Sequence, residues 1–90
     1  MAYKISFSSD AKKDLKLLSK HAPEALPKLV KLLEEIAEHP GTGTGQVEPL
    51  KGYGGAVYSR RITQRHRIVY RIYDDVVEVL ILSTYGHYEE

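Results

Sequence analysis

Polar and apolar residues alternate from Tyr3 to Ser8, the period of a short half-buried strand. Ser8, Ser9 and Asp10 follow with side-chain oxygens suited to capping a helix. In that helix Ala11, Leu15 and Leu18 share one face, while Lys and Asp residues occupy the other. His21-Ala22-Pro23 breaks it, because proline cannot supply an interior helix N–H. A second helix then begins, with Pro23 and Pro27 tolerated in its first turn. Its Leu26, Leu29, Val30, Leu33, Ile36 and Ala37 keep the helical period. Two helices with so short a joint are expected to pack as an antiparallel hairpin. His39-Pro40-Gly41 ends the second helix, and Thr42 to Gly45 reads as a flexible loop. From Ala56 the period returns to two. Val57 to Ile62, Arg67 to Tyr73 and Val76 to Leu82 read as three strands. Thr63-Gln64-Arg65-His66 and Asp74-Asp75 are the turns of an antiparallel meander. Along the middle strand Ile68, Tyr70 and Ile72 point one way, toward the helices. Arg67, Val69 and Arg71 point the other way, onto a face left open and made concave by sheet twist. The predicted class is α+β: one strand, a helical hairpin, then a three-stranded meander in one twisted sheet.

Ninety residues suffice for one domain. With no cysteine there is neither a disulfide framework nor a thiolate metal site. The N-terminus lacks the apolar core of a signal peptide, and no run approaches the roughly 20 apolar residues of a membrane span. A cytoplasmic protein with no membrane association is therefore expected.

Charge is unevenly placed. Residues 1–50 hold seven lysines and seven acids. Lys51 to Tyr73 holds six bases (Lys51, Arg60, Arg61, Arg65, Arg67, Arg71) and no acid, and Asp74 to Glu90 holds five acids and no Lys or Arg. The arginine fork matches phosphate geometry, so the block suggests an anionic ligand. Charge alone leaves a second reading open, in which these arginines pair with the acidic tail.

Three features carry candidate chemistry. Glu48 precedes Pro49, which stiffens the backbone and biases Glu48 toward an extended conformation, and Leu50 can anchor the segment in the core. A carboxylate held in this way can serve as a general base. Arg61 and Arg67 lie on neighbouring strands. If the turn register puts them on one face, two like charges sit together, a costly arrangement unless an anion or flanking carboxylates neutralise it. Near the end of the sequence stands His87-Tyr88, and histidine can hand over a proton near neutral pH. Taken singly, each has a plainer reading: a loop Glu, a solvated strand face, a frayed end. As a set they supply a base, a cation and an acid. Those are the groups needed to deprotonate a 2′-hydroxyl, stabilise a phosphorane and protonate a departing 5′-oxygen. The four histidines show no metal-ligand spacing, and no cofactor is expected. Gly41-Thr42-Gly43-Thr44-Gly45 resembles a phosphate-cradling loop only superficially. No strand precedes it and no Gly-Lys-Ser/Thr closes it.

Glu48-Pro-Leu-Lys51, Tyr58-Ser-Arg-Arg-Ile-Thr63, His66-Arg-Ile-Val-Tyr70 and His87-Tyr88 together resemble the YoeB/Txe toxins of the RelE superfamily, in order and spacing. The motif match covers residues 46–88, about half of the chain, and the N-terminal half agrees in layout. The resemblance implies a RelE-like fold and a type II toxin that cuts messenger RNA on the ribosome. It also implies a cognate antitoxin as partner and, in some relatives, a homodimer. Carried over by motif, Glu48 is the general base, Arg67 the arginine that stabilises the transition state, His87 the general acid and Tyr88 a residue that sets the reacting geometry. Lys51 and Arg61 match positions expected to hold the RNA backbone, and Arg60 and Arg65 join them as further phosphate-binding candidates. The implied products are a 2′,3′-cyclic phosphate and a 5′-hydroxyl. His21, His39 and His66 are read as structural or surface residues, the last near RNA.

Two positions depart from the family pattern. Tyr85 stands where relatives often carry Arg, so one phosphate or ribosome contact is missing or supplied elsewhere. Glu89 and Glu90 extend past the His-Tyr end. Close to His87 their charge would raise its pKa, whereas in solvent they would not affect it. Two other functions fit the basic face: a non-catalytic RNA- or ribosome-binding module, and a receptor for an acidic partner segment. A complete Glu/Arg/His set is needed by neither.

Overall fold

The computed structural model describes residues 2–52 and 54–85. His87, Tyr88 and the Glu89-Glu90 extension lie outside the described residues. The elements are β1 (Lys4–Phe7), α1 (Ser9–His21), α2 (Leu26–Glu38), β2 (Glu48–Pro49), β3 (Val57–Arg61), β4 (Arg67–Tyr73) and β5 (Glu78–Ser83). Ser8 caps α1 as its sequence position predicts, its Oγ accepting from the Ala11 N–H at 3.0 Å. The break at Pro23 is a short 3₁₀ turn, Pro23–Ala25, so α2 starts three residues later than the proline signal suggests.

The strands form one sheet in the order β1-β5-β4-β3-β2. β3, β4 and β5 make the predicted antiparallel meander, and β1 pairs parallel with β5. Both helices contribute to a core on one face of this sheet. Ala11 and Leu18 of α1 and Leu29, Leu32 and Ile36 of α2 cluster with Ile68, Tyr70, Val79 and Ile81. The alternation read from β4 thus points its aliphatic face at the helices. Each such side chain removed from water contributes about 1.5–3 kcal/mol, enough together to fix the register of a sheet.

Three expectations need correction. The last strand begins at Glu78 rather than Val76. Asp74–Val76 forms a second 3₁₀ turn, Val77 takes a left-handed conformation with φ 53°, and Val76 is 62 % exposed. Glu48-Pro49, expected to be extended but not counted among the strands, adds an edge strand to β3, a place where proline's missing N–H costs no ladder bond. The arginine face is also not wholly open. Leu50 folds over Val57 and Val69 to form a second small cluster, with Leu82 packed against it. Among the described residues no helix is long and apolar enough to cross a membrane.

Candidate active site

The site is built on the sheet face away from the helices. In the ladder between β3 and β4, Ser59 lies opposite Val69 and Arg61 opposite Arg67. Directly paired residues project to the same side, so the two arginines share a face. β2 brings Glu48 opposite Ser59, which adds a carboxylate to that face. A two-residue edge strand therefore decides where the candidate base stands.

Arg67 is held on three sides. Its Nε donates to Ser59 Oγ at 3.1 Å, its Nη2 donates to the Gln46 carbonyl at 3.0 Å, and the same Nη2 lies 3.6 Å from Glu48 Oε1. The Arg67 side chain is only 12 % exposed whereas Glu48 is 67 % exposed. A largely buried arginine thus faces a carboxylate that is open to solvent, and the socket fixes the cation before any ligand arrives. Of the five guanidinium N–H groups, these contacts engage only Nε and Nη2. Arg61, half-buried, has no carboxylate partner among the described residues, and its buried Nε is without a hydrogen bond there. Two guanidiniums at opposed positions, with one carboxylate between them, favour a further anion on this face. Lys51, in the segment after β2, and Arg65, in the β3–β4 turn, are both exposed. Ser59 and Gln46 were not singled out from the sequence. A serine two residues before Arg61 on a strand is the only signal the first one leaves. The second acts through its carbonyl, which a side-chain pattern does not show.

Arg60, grouped in the sequence with the phosphate-binding candidates, sits on the opposite face and is 0 % exposed. Its guanidinium is occupied by Glu35, Tyr70 and backbone carbonyls of the α2–β2 loop, so it cannot reach a ligand on the arginine face. Strand alternation alone separates it from Arg61.

The route to His87 is visible as far as Tyr85. Ser83 pairs with Val69, so the chain leaves β5 at the end of the sheet where Arg67 enters β4. The Thr84 N–H donates to Asp14 Oδ2 at 3.2 Å, pinning that exit to α1. Tyr85 then stacks on the buried His66 ring at 4.7 Å and lies 6.2 Å from His21. The residue that departs from the family's arginine is thus packed between two histidines, beside a cavity of about 450 Å³ also lined by Glu24, Gln64 and Arg65. His66 and His21 serve this packing, and His39 caps α2 through its backbone N–H.

A family model described as "YoeB-like toxin of bacterial type II toxin-antitoxin system" matches residues 7–88. The chain belongs to this family. The match spans both helices and the motif-bearing half. Toxin YoeB of Mycobacterium bovis is 36 % identical over 84 residues, covering 93 % of this chain and 96 % of that protein. A YoeB dimer structure from Staphylococcus aureus superposes with a TM-score of 0.83 at 32 % identity, covering 98 % of this chain and 100 % of that one. A heterotetrameric YoeB-YefM toxin-antitoxin complex from the same organism gives 0.78 at 32 % identity with the same coverage.

Proposed function

We propose that this toxin is an endoribonuclease that cuts messenger RNA on the ribosome by acid–base attack of the 2′-hydroxyl on the scissile phosphate, without a metal ion. Glu48 accepts the 2′-hydroxyl proton as the oxygen bonds to phosphorus. Arg67, with Arg61 beside it, stabilises the charge on the pentacovalent phosphorane. The His87 imidazolium gives its proton to the 5′-oxygen as the P–O bond breaks, with Tyr88 setting the geometry of that transfer. The products are a 2′,3′-cyclic phosphate and a 5′-hydroxyl. Lys51 and Arg65 hold the RNA backbone. The single observation that carries this reading is the Arg67 socket, which faces an exposed Glu48 carboxylate at 3.6 Å on a face lined by a second arginine with no ion-pair partner among the described residues. A binding module would gain nothing from keeping a base beside its cation. Among the described residues no three His, Asp or Glu side chains converge to hold a metal, and the proposed route calls for none.

The proposed partners follow from the relatives. An antitoxin would lay a segment over the arginine face and mask it, and a second copy of the chain could form a homodimer. The proposed location is the cytoplasm, where translated messenger RNA is found. The test maps cuts in a translated messenger RNA by primer extension in a purified system, with and without chelator. Cuts at ribosome-occupied codons are expected to survive chelator. In Glu48→Ala and in His87→Ala they are expected to fall about 10²- to 10⁴-fold, the usual contribution of a positioned acid or base. Undiminished cutting by both variants would show that the chemistry lies elsewhere.

A further inference from the structure

We propose that Arg60 is a positioning residue, which holds the loop between α2 and β2 so that the Gln46 carbonyl and the Glu48 carboxylate stay aligned with Arg67. This inference rests on the reading of Glu48 and Arg67 as the base and the charge-stabilising group.

Arg60 has five N–H donors and an acceptor for each. Nε donates to Tyr70 Oη at 3.0 Å. Nη1 donates to Glu35 Oε1 at 3.1 Å and to the Thr44 carbonyl at 3.5 Å. Nη2 donates to the carbonyls of His39 at 2.7 Å and Thr42 at 2.6 Å. Tyr70 extends the set by donating to the Pro40 carbonyl at 2.7 Å. Glu35 closes it from the helix side, accepting from both the N–H and the hydroxyl of Thr44 at 2.9 Å. The Gly45 carbonyl accepts from the Arg61 N–H. A loop without regular structure is thereby tied to β3, β4 and α2 at almost every residue from His39 to Gly45.

The loop is packed around the guanidinium so closely that side chains are excluded. A Cβ on Gly43 would fall 2.6 Å from Arg60 Nη1 and 2.7 Å from Glu35 Oε1, and one on Gly45 would fall 3.0 Å from the Arg61 carbonyl oxygen. These two glycines, which look in sequence like a phosphate cradle, instead give the arginine room. A buried ion pair is a weak source of stability compared with apolar packing of similar volume. What it supplies is direction, because each bond fixes one backbone carbonyl at a set angle.

The loop delivers its ends straight into the site. Gln46, with φ 55°, turns its carbonyl to Arg67, and Glu48 begins β2 two residues later. β2 is too short to place Glu48 unaided, since Pro49 has no N–H and the next anchor is the Leu50 N–H on the Val57 carbonyl. Arg60 and Arg61 therefore divide the work between the two faces of β3. One sets the base from behind, and the other meets the ligand in front.

The test uses the full toxin in single-turnover cleavage of ribosome-bound messenger RNA, with rates expressed per folded molecule. Arg60→Lys is the direct variant. Loss of a buried network can unfold the protein, so Thr44→Val supplies a milder variant, since Thr44 is exposed and loses only its hydroxyl bonds to Glu35. Thr44→Val is expected to lower the maximal rate roughly tenfold, the scale of a sub-ångström misplacement of a reacting group. The half-saturating toxin concentration should move less than about twofold, as for loss of an interaction specific to the transition state. Thr44→Ser should restore the rate. In a Glu48→Ala background Thr44→Val should add no further loss, because the two changes act through one group. Equal losses in both backgrounds, no loss at all, or a change confined to half-saturation would each overturn the positioning role. If Glu48→Ala alone leaves the rate intact, the base assignment fails and the role of Arg60 fails with it. That outcome is read from a different variant.

Discussion

Glu35 and Arg67 are both charged groups whose partners come from loop backbone, and both show how much a single neighbour decides. The Thr44 N–H and then its hydroxyl favour the Glu35 carboxylate, with Arg60 and Lys28 adding smaller attractions, and together they outweigh burial and hold its pKa below the ordinary 4.5. The unfolded chain binds the Glu35 proton more readily than the folded one. The resulting stability is present above pH 4.5 and is lost as pH falls through the lowered folded value. Thermal midpoints scanned downward from neutral pH should therefore decline in that window, and decline less steeply in Glu35→Gln. Parallel curves for the two proteins would show that Thr44 does not hold the carboxylate in solution. Tyr70 is shifted the opposite way. Burial pushes its hydroxyl above the usual 10, the nearby Arg60 opposing, so it stays a neutral donor to Pro40 throughout the working range.

Among the elements, the meander and the helices were legible in the sequence because each buries one face, and burial leaves a period. Ile68, Tyr70 and Ile72 announced which side of β4 meets the helices. The register that unites Arg61 with Arg67 was not legible, since it depends on the geometry of a four-residue turn. Nor was β2 legible, because two residues ending in proline show no period. Arg60 was misassigned for a related reason. Composition counts an arginine the same on either face of a strand, and only the pairing of Arg60 with Ile68 turns it inward. Pro49 makes Glu48 stand out in the sequence, whereas Ser59 and Gln46 carry no mark of comparable strength. The loop before β2 offers a test at this scale. Gly45 combines φ +88° with close neighbours, whereas Gly54 has φ +75° and open space around it. Both alanine variants pay for left-handed backbone, of order 1 kcal/mol, but Gly45→Ala must also displace Leu32 or the Arg61 carbonyl. We expect Gly45→Ala to lower the thermal midpoint by several degrees more than Gly54→Ala, at roughly 4–8 °C per kcal/mol for a chain of this size. Equal shifts would mean that the loop is not seated against β3.

At the scale of the whole molecule, the fold separates support from chemistry. The helices, the main core and Arg60 lie on one side of the sheet, and Arg61, Arg67 and Glu48 lie on the other. β3 serves both, since its alternate residues face opposite ways. The described chain leaves β5 at the end of the sheet where Arg67 enters β4. Membership in the YoeB-like toxins accounts for the fold and for the toxin class. The proposed chemistry rests on Glu48 facing Arg67, and it makes one demand of the substrate itself, a 2′-hydroxyl at the cut. The most direct measurement is therefore the cleavage of a ribosome-bound messenger RNA carrying a single 2′-deoxy nucleotide at the mapped scissile position. The account predicts that cutting at that position vanishes while the toxin still binds the ribosome and cuts the all-ribose control. Cutting of the deoxy message at an undiminished rate would contradict it, because the nucleophile would then have to come from elsewhere.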